Sequence, residues 1–507
     1  MEHATQPAHI LRLPDEVLLD VVYELVTLVA KRKQRYLIAR ISDYDTNPSE
    51  YAHTALARLA RVSRRFHAIA SQILYETVNL DYVDQKFKWD HITHYHGKQV
   101  GQEVVNKEAG NRPIPAWWRA RSGSPPHLLY RTLMESPSLR NHCRTLRLKL
   151  KLRFCEDEDP YVAPNPILMQ SVVRNMFTWL CNITKLDLYY DDELGNDDVL
   201  AAVSKNLVHL QQVRKLMIQD GQHILLPDLY YGIIRKLPNL ESLAVQEAGR
   251  RRGRIDYADK FPPLQITLPP PSLTSISFHD GFEDDPPNLD WFLRQPLNLV
   301  KFTFELRYRD HGDWNAGWSL PTIFSLLRHQ ARTLRTIDIG ILYTGHGGNL
   351  ETVNLSGFTS LEELTLSYWD IEVDTRTSDG SWTSHLPINE GHAAILSAPK
   401  LKRFTLCFDQ ISRMGSQSLA SFGEEQENWL RELVLDAARG QPKASLRHVH
   451  LDYRPVPERM KPKGVEVWPW ARINRVRDLD EVKRAGIEIT YVTPRVTEGK
   501  FHGLEVE

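Results

Sequence analysis

The chain has 507 residues, 42% hydrophobic and 25% charged, which is the composition of a globular protein with ample apolar material for a core. Its 63 Lys and Arg residues nearly balance its 64 Asp and Glu residues, and a net charge of −1 gives the whole chain no electrostatic bias towards nucleic acid or membranes. Four cysteines without C-x-x-C spacing argue against a disulfide framework, so we expect a protein of the cytoplasm, the nucleus or both.

The first predicted element is an amphipathic helix that begins near Leu13. Pro14 suits the first turn of a helix, where its missing N–H costs nothing, and Asp15 and Glu16 place negative charge at the positive end of the helix dipole. Apolar residues then recur at helical spacing and predict one wide apolar stripe, made of Val17, Leu18, Val21, Val22, Leu25, Leu28 and Val29. No cationic region precedes this stretch, and it is too short to span a bilayer, so neither a secretory signal nor a membrane helix is predicted.

Two further helices are predicted behind the first. An apolar set at Leu56, Leu59 and Val62 leads to Ser63, which is a good N-cap for a third helix. The apolar residues of that third helix are Phe66, Ile69, Ala70, Ile73 and Leu74. Three short helices make a poor independent core, so we expect this unit to lean on a partner or on a neighbouring domain.

The run LPDEVLL at residues 13–19, followed in order by VSRRF at 62–66, resembles an F-box, the helical unit that docks a protein onto the adaptor of a ubiquitin ligase. The resemblance covers residues 10–80. It implies contact between a Skp-type adaptor and eight residues: Leu13, Pro14, Glu16, Leu18, Leu56, Leu59, Val62 and Phe66. The pattern departs from an F-box at a charged insert, 31–50, which we expect to be a surface loop. An ordinary helical N-terminus is the alternative, because Leu-Pro before an amphipathic helix is common.

Residues 81–127 mix charged residues with glycine and proline and show little periodicity, so we predict a linker. The linker contains the densest histidine cluster of the chain, at His91, His94 and His96. A metal site there would need further ligands and a fixed backbone, so we expect no metal.

From residue 128 to 455 one short pattern returns: an apolar residue, two others, an apolar residue, one other, and an apolar residue. Ten copies begin at Cys143, Ile183, Val213, Leu240, Leu273, Leu299, Leu334, Leu361, Leu401 and Leu446. The pattern alone is common by chance, but every copy has a polar residue two places after its first apolar residue, and seven copies directly follow Asn, Ser or Thr. Helical patterns lie between the copies, and this alternation predicts parallel strands joined by helical crossovers.

The copies are 26 to 45 residues apart, an irregular spacing centred where leucine-rich repeats with helical backs fall. Residues 128–455 therefore resemble an irregular leucine-rich-repeat-like α/β solenoid with parallel strands. A compact α/β domain is the alternative, because that fold also alternates strands and helices.

The end of the chain is predicted to cover the last repeat. Residues 479–484 predict a short helix, and the alternation of Ile487, Ile489 and Tyr491 predicts a strand. We expect residues 456–493 to form a C-terminal cap and 494–507 to form a tail.

None of the catalytic motifs that spacing can test is present, including G-x-S-x-G, H-E-x-x-H, the Walker A loop and the Rossmann glycine fingerprint. We therefore predict a protein that is not an enzyme and has no cofactor and no metal. Side chains alternate along strands, so the residues between the apolar positions form an outward surface of mixed charge, without a phosphate-selective face. The outward strand residues expected to bind a target are Tyr189, His279, Lys301, Glu305, Arg403, His448 and His450. Trp314 and Trp369 lie in two predicted aromatic loops that could also anchor a target, and packing of these loops over the solenoid rim is the alternative.

A helical F-box-like start followed by such a solenoid resembles the F-box, leucine-rich-repeat class of ubiquitin-ligase receptors. The first hypothesis is a substrate-recognition subunit of an SCF-type cullin–RING ligase, whose partners are a Skp-type adaptor, a cullin scaffold and a target protein, with no nucleic acid and no membrane. Such a subunit acts by proximity, because it holds a target lysine near a charged ubiquitin carrier. An F-box interaction scaffold that does not support ubiquitin transfer is the second hypothesis, and an enzyme with an unrecognised site in an α/β body is the third.

Overall fold

The computed structural model divides the chain into two compact units, an N-terminal unit of residues 1–189 and 196–213 and a C-terminal unit of residues 190–195 and 214–507. The insert at 31–50, most of the linker at 81–127 and the tail at 494–507 lie outside the residues that the structure describes. The described residues are 13–22, 24, 56, 59–80, 125–151, 166–191, 203–219, 226–246, 272–279, 286–295, 298–306, 318–340, 342, 350, 353–371, 373–376, 382–387, 389–408, 422–440, 445–452 and 469–492.

The N-terminal unit begins with helices where the sequence predicts them. Residues 15–22 are helical, and the N–H of Ala60 donates to the carbonyl of Leu56 at 2.9 Å in the second predicted helix. Ser63 caps the third helix, because its hydroxyl accepts the N–H of Phe66 at 3.2 Å. These helices share one buried cluster of apolar side chains, made of Leu18, Val22, Leu56, Phe66, Ile69 and Ala70.

The third helix leads directly into a strand that the sequence analysis did not predict. This strand pairs in parallel with the first predicted repeat strand, and the order in the unit is β1-β2-β3. The labelled elements of the unit are α1 (Arg64–Glu76), β1 (Thr77–Leu80), α2 (Pro125–Glu135), α3 (Pro137–Arg140), β2 (Thr145–Lys151), α4 (Pro166–Trp179) and β3 (Lys185–Asp191).

The C-terminal unit repeats strand and helix. Its elements are β4 (Lys215–Gln219), α5 (Leu226–Gly232), β5 (Ser242–Gln246), β6 (Ser275–His279), α6 (Pro286–Leu293), β7 (Lys301–Phe304), α7 (Leu320–Leu327), β8 (Thr336–Ile339), β9 (Glu363–Ser367), α8 (Tyr368–Ile371), β10 (Val373–Arg376), β11 (Trp382–His385), α9 (Asn389–Leu396), β12 (Arg403–Cys407), α10 (Glu424–Arg439), β13 (His448–Asp452), α11 (Pro469–Arg477), α12 (Asp480–Arg484) and β14 (Glu488–Tyr491).

The strands of this unit are paired in the order in which they occur in the chain. The order is β4-β5-β6-β7-β8-β9-β12-β13-β14, all parallel, while β10 and β11 form a separate antiparallel pair. A doubly wound α/β domain would reverse its strand order at a switch point, and no reversal occurs among these strands.

All ten predicted repeat copies are strands, and each of the three apolar residues of every copy is buried. Strand partners are in register, so Leu243 lies beside Ile276 and Ile276 beside Phe302 in one inward column. Most alternate residues are half-buried or exposed, as in β13, where His448 and His450 alternate with buried neighbours, whereas Asp187 of β3 and Thr303 of β7 are buried. The sheet of this unit is therefore covered on one face, whereas the parallel sheet of a compact α/β domain is covered on both.

Hydrogen bonds between successive repeats explain the polar residues that flank each copy. The carbonyl of Glu241 accepts the N–H groups of both Thr274 and Ser275, at 2.9 and 3.0 Å, and the same two-to-one pattern recurs at later strand starts. The hydroxyls of Ser360 and Ser445, which directly precede two copies, each donate to a carbonyl of the preceding repeat at 2.7 Å. A short hydroxyl side chain there satisfies a backbone group that would otherwise lack a partner.

The predicted C-terminal helix and strand are present as α12 and β14. Gly486 joins them in the left-handed region, with φ of 67°, which a side chain would disfavour. Because β14 pairs in parallel with β13, the sheet continues one strand beyond the last predicted copy.

Candidate partner-binding surfaces

The two sequence runs of the F-box-like region meet in space. The Nε of Arg65 lies 2.5 Å from Oδ1 of Asp15, and the Nη2 of Arg65 donates to the carbonyl of Leu13. The Arg65 side chain is 33% exposed and that of Asp15 is 68% exposed, so solvent screens this ion pair and its contribution to stability is small. Its effect is to fix the start of the first helix against the start of α1.

The eight residues expected to contact an adaptor fall into three groups. Leu18, Leu56 and Phe66 are buried in the unit's own core, so they hold the helices together. Leu13 and Leu59 are half-buried and pack at the margin of that core. The exposed members are Pro14, Glu16 and Val62.

An exposed apolar residue that the sequence analysis assigned elsewhere joins this surface. Val17 was predicted to belong to the buried stripe of the first helix, but its side chain is 41% exposed, and Val62 is 67% exposed. The helical period predicts which residues of the first helix form the apolar stripe. Which residues of that stripe are buried depends on where α1 packs against the first helix. Pro14, Glu16, Val17 and Val62 are therefore exposed residues of the F-box-like region that could contact an adaptor.

The outward face of the C-terminal unit carries a polar cluster on β6, β7 and β8. The Nδ1 of His279 lies 3.4 Å from Oε2 of Glu305. Burial raises the pKa of Asp338 above its ordinary value, with Lys301 and His279 opposing the shift and Glu305 adding to it. These four side chains thus lie within electrostatic reach of one another, and the cluster includes three of the predicted target-binding residues.

A second polar group lies on β13 and β14. The hydroxyl of Thr490 is 2.5 Å from Nε2 of His448 and 2.8 Å from Nδ1 of His450. One hydroxyl can donate to one imidazole while it accepts from the other, so Thr490 fixes both rings. Arg403 is exposed, and it is the register partner of His448 on the neighbouring strand.

The other three predicted target-binding residues are Tyr189, Trp314 and Trp369. Tyr189 is half-buried on β3 of the N-terminal unit. Trp314 and the side chain of Trp369 lie outside the residues that the structure describes.

The part of the chain that the structure describes contains no group of three His, Cys, Asp or Glu residues that could hold a metal ion. Within the same residues, no helix is both long enough and apolar enough to cross a membrane. Burial raises the pKa of the Cys143 thiol to about 12, which keeps it protonated and unreactive at neutral pH.

Comparisons with known proteins give partial structural likenesses. No protein-family profile and no curated protein sequence matches the chain. A crystal structure of a TLR13–ssRNA13 complex matches 62% of this chain and 41% of that chain, with 14% sequence identity and a TM-score of 0.29. The chain thus covers less than half of the length of that protein, and a TM-score this low supports no inference about either surface.

Proposed function

We propose that this protein is the substrate-recognition subunit of an SCF-type cullin–RING ubiquitin ligase. In this proposal the F-box-like region, residues 10–80, docks on a Skp-type adaptor. The repeats form an irregular leucine-rich-repeat-like solenoid that binds a target protein. The chain itself forms no covalent bond with ubiquitin, because ubiquitin transfer needs only that a target lysine is held near the charged ubiquitin carrier.

The observation that supports this proposal most is the contact between the two F-box-like runs. Arg65 of the second run binds both Asp15 and the carbonyl of Leu13 in the first. The contact joins two short runs that are separated by more than forty residues, as the F-box-like arrangement requires. Pro14, Glu16, Val17 and Val62 remain exposed beside that contact, as a docking surface requires.

The order of the strands and the open outward face support the second half of the proposal. Sequential parallel strands with buried inward columns are the arrangement of stacked repeats, which contact mainly their neighbours. The outward residues are not needed for the core, so they are available for a partner.

Adaptor binding is tested by recovery of a purified Skp-type adaptor on the immobilised full chain. Val17→Glu with Val62→Glu places charge on the exposed surface and leaves the core unchanged, and we expect affinity to fall by roughly thirtyfold or more, the loss typical of an interface anchor. Leu13→Ala with Pro14→Ala should have the same effect.

The matched control is His67→Glu with Gln72→Glu, two exposed positions elsewhere on α1, which should leave recovery unchanged. Equal recovery of the adaptor by the surface variant and the control would refute the assignment. The alternative of an F-box scaffold without ubiquitin transfer predicts that the adaptor binds but brings no cullin, so co-elution with cullin separates the two.

A further inference from the structure

Exposed cations are concentrated at the starts of β8, β12 and β13 in the C-terminal unit, on either side of the start of β9. Five of them lie in the turns before these strands, and Arg403 is the first residue of β12. All six are exposed, and we call them the basic ledge: Arg332, Arg335, Lys400, Lys402, Arg403 and Arg447.

Backbone hydrogen bonds place three of the ledge residues, Arg335, Lys402 and Arg447, in one row with Glu362. The carbonyl of Arg335 accepts the N–H of Glu362, the carbonyl of Glu362 accepts the N–H of Lys402, and the carbonyl of Lys402 accepts the N–H of Arg447, at 2.8 to 2.9 Å. Each step crosses one strand, about 4.8 Å, so the row spans roughly 14 Å. Arg403 lies in the adjacent row, in register with neighbours on β9 and β13.

Two carboxylates lie within the ledge, and the cations outnumber them. The Nζ of Lys402 donates to Glu362 at 2.8 Å, and the pKa of Glu362 is lowered first by this hydrogen bond and charge, then by Arg335 and Lys400. The second carboxylate belongs to Glu363. Glu488 follows at the next step of the row, because the carbonyl of Arg447 accepts its N–H at 2.8 Å. Six cations against these three carboxylates give a formal charge of +3, on a chain whose net charge is −1.

Four of these cations make no direct polar contact with the described residues through their side chains. Among the described residues, the side chains of Arg332, Arg335, Lys400 and Arg403 have no hydrogen-bond or ion-pair partner. Some other exposed cations of the unit are paired with carboxylates, as in the pairs of Arg214 with Glu241 and Arg294 with Asp290.

We propose that the basic ledge binds a segment rich in Asp and Glu on a partner protein. Arginine presents a planar fork of donors that matches a carboxylate. The identification of this partner as the ubiquitylation target rests on the function proposed above. The proposal that the ledge binds an acidic segment does not depend on that function.

The ledge fits an acidic peptide better than a nucleic acid. Its length matches about four extended residues. Glu362 and Glu363 interrupt the row of cations, which would repel a continuous phosphate backbone but leaves room for separate carboxylates on either side. The two residues at each of these strand starts include no Phe, Tyr or Trp on which a base could stack.

The experiment measures fluorescence anisotropy of a labelled peptide of alternating Glu and Ser with the full-length chain at low salt. The ledge variant combines Arg335→Gln, Arg403→Gln and Arg447→Gln. The matched control removes three exposed cations from α11 and α12, Arg475→Gln, Arg477→Gln and Lys483→Gln. We expect the ledge variant to bind about tenfold more weakly than the wild type and the control to stay within about twofold. A peptide with Gln in place of Glu should not bind, and about 0.3 M salt should weaken the wild-type complex.

Equal binding by the ledge variant and the control would overturn the proposal. It would also be overturned if a single-stranded oligonucleotide bound more tightly than the peptide and lost affinity in the ledge variant, because the surface would then be a nucleic-acid site. Adaptor recovery on the same variants separates this inference from the proposed function. If the wild type binds the peptide but no adaptor, the ledge proposal stands and the proposed function fails.

Discussion

Truncation of Phe302 tests whether the strands are stacked repeats. Phe302 of β7 is fully buried, and its ring centre lies 6.3 Å from that of Phe278 and 6.1 Å from that of Phe304. Its register partners are Ile276 on β6 and Ile337 on β8. An alanine at this position would therefore leave a cavity lined by three neighbouring repeats.

We expect Phe302→Ala to lower the free energy of unfolding by about 3–5 kcal/mol. The two aromatic contacts add about 0.5–1.5 kcal/mol each to the loss from area alone, which favours the upper part of that range. Phe302→Leu keeps the side chain apolar and fills much of the volume, so we expect a loss of about 1–1.5 kcal/mol. The matched control is the adjacent exposed residue, since Lys301→Ala should stay within roughly 0.5 kcal/mol.

Urea unfolding of the full chain measures these losses, and limited proteolysis locates them. Because repeats contact mainly their neighbours, cleavage in Phe302→Ala should begin near β7 before it reaches β13. The same sensitivity in Lys301→Ala, or a simultaneous loss of protection along the whole unit, would refute the stacked-repeat reasoning.

Two buried ionisable groups give further predictions. Burial lowers the pKa of His392 to about 4, although the Asp436 carboxylate 3.4 Å away favours the protonated form. The stability contributed by neutral His392 is present above the unfolded value of about 6.5 and is lost as the pH falls through about 4, a difference of roughly 3 kcal/mol. Urea unfolding at pH 7 and pH 4.5 should show a larger loss in the wild type than in His392→Phe, and parallel losses would contradict this. The Glu427 side chain is 4% exposed and forms an ion pair with Arg472 at 2.8 Å. Glu427→Gln should lower the free energy of unfolding by about 2–3 kcal/mol. This loss is smaller than that for a fully buried pair, because the Arg472 side chain is 19% exposed. Arg475→Gln removes only a contact at 3.9 Å and should change the unfolding free energy by less than about 0.5 kcal/mol.

The repeat strands could be predicted because their signal is local and recurs. In each copy the inward residues are apolar at strand spacing, as in Leu364 and Leu366 of β9, and burial follows directly from that spacing. The serine that precedes a copy is also a local signal, because its hydroxyl bonds to the previous repeat, as Ser445 does. Inward strand residues and the serines before them can be predicted because each depends on a few adjacent residues and not on a distant part of the chain.

Strand β1 could not be predicted in the same way. Its four residues follow α1 without a break and carry only two apolar side chains, Val78 and Leu80. They are a strand because they pair with β2, more than sixty residues later in the chain. Strand preference depends on such cross-strand partners, and a single sequence does not reveal which partner a segment will find.

The basic ledge was missed because the sequence analysis considered the outward residues of the strands. On those positions the two signs nearly balance, for example Lys301 against Glu363. The excess charge lies one residue earlier, in the turn, where Arg335, Lys402 and Arg447 follow the first apolar residue of their copies. The excess of cations is therefore visible in the sequence, but in the turns that precede the strands rather than at the alternating strand positions.

A one-sided sheet separates the residues that hold the fold from those that can meet a partner. Inward residues such as Phe302 fix the repeats, while outward and turn residues such as Arg403 contribute little to stability and can change without unfolding the chain. The F-box-like region has the same division, with Leu18 in its core and Val62 at its surface. Because these two surfaces belong to different compact units, substitutions in one should leave binding at the other unchanged. The proposed function requires both surfaces to be occupied at once, so either class of surface variant should reduce target modification while the chain stays folded.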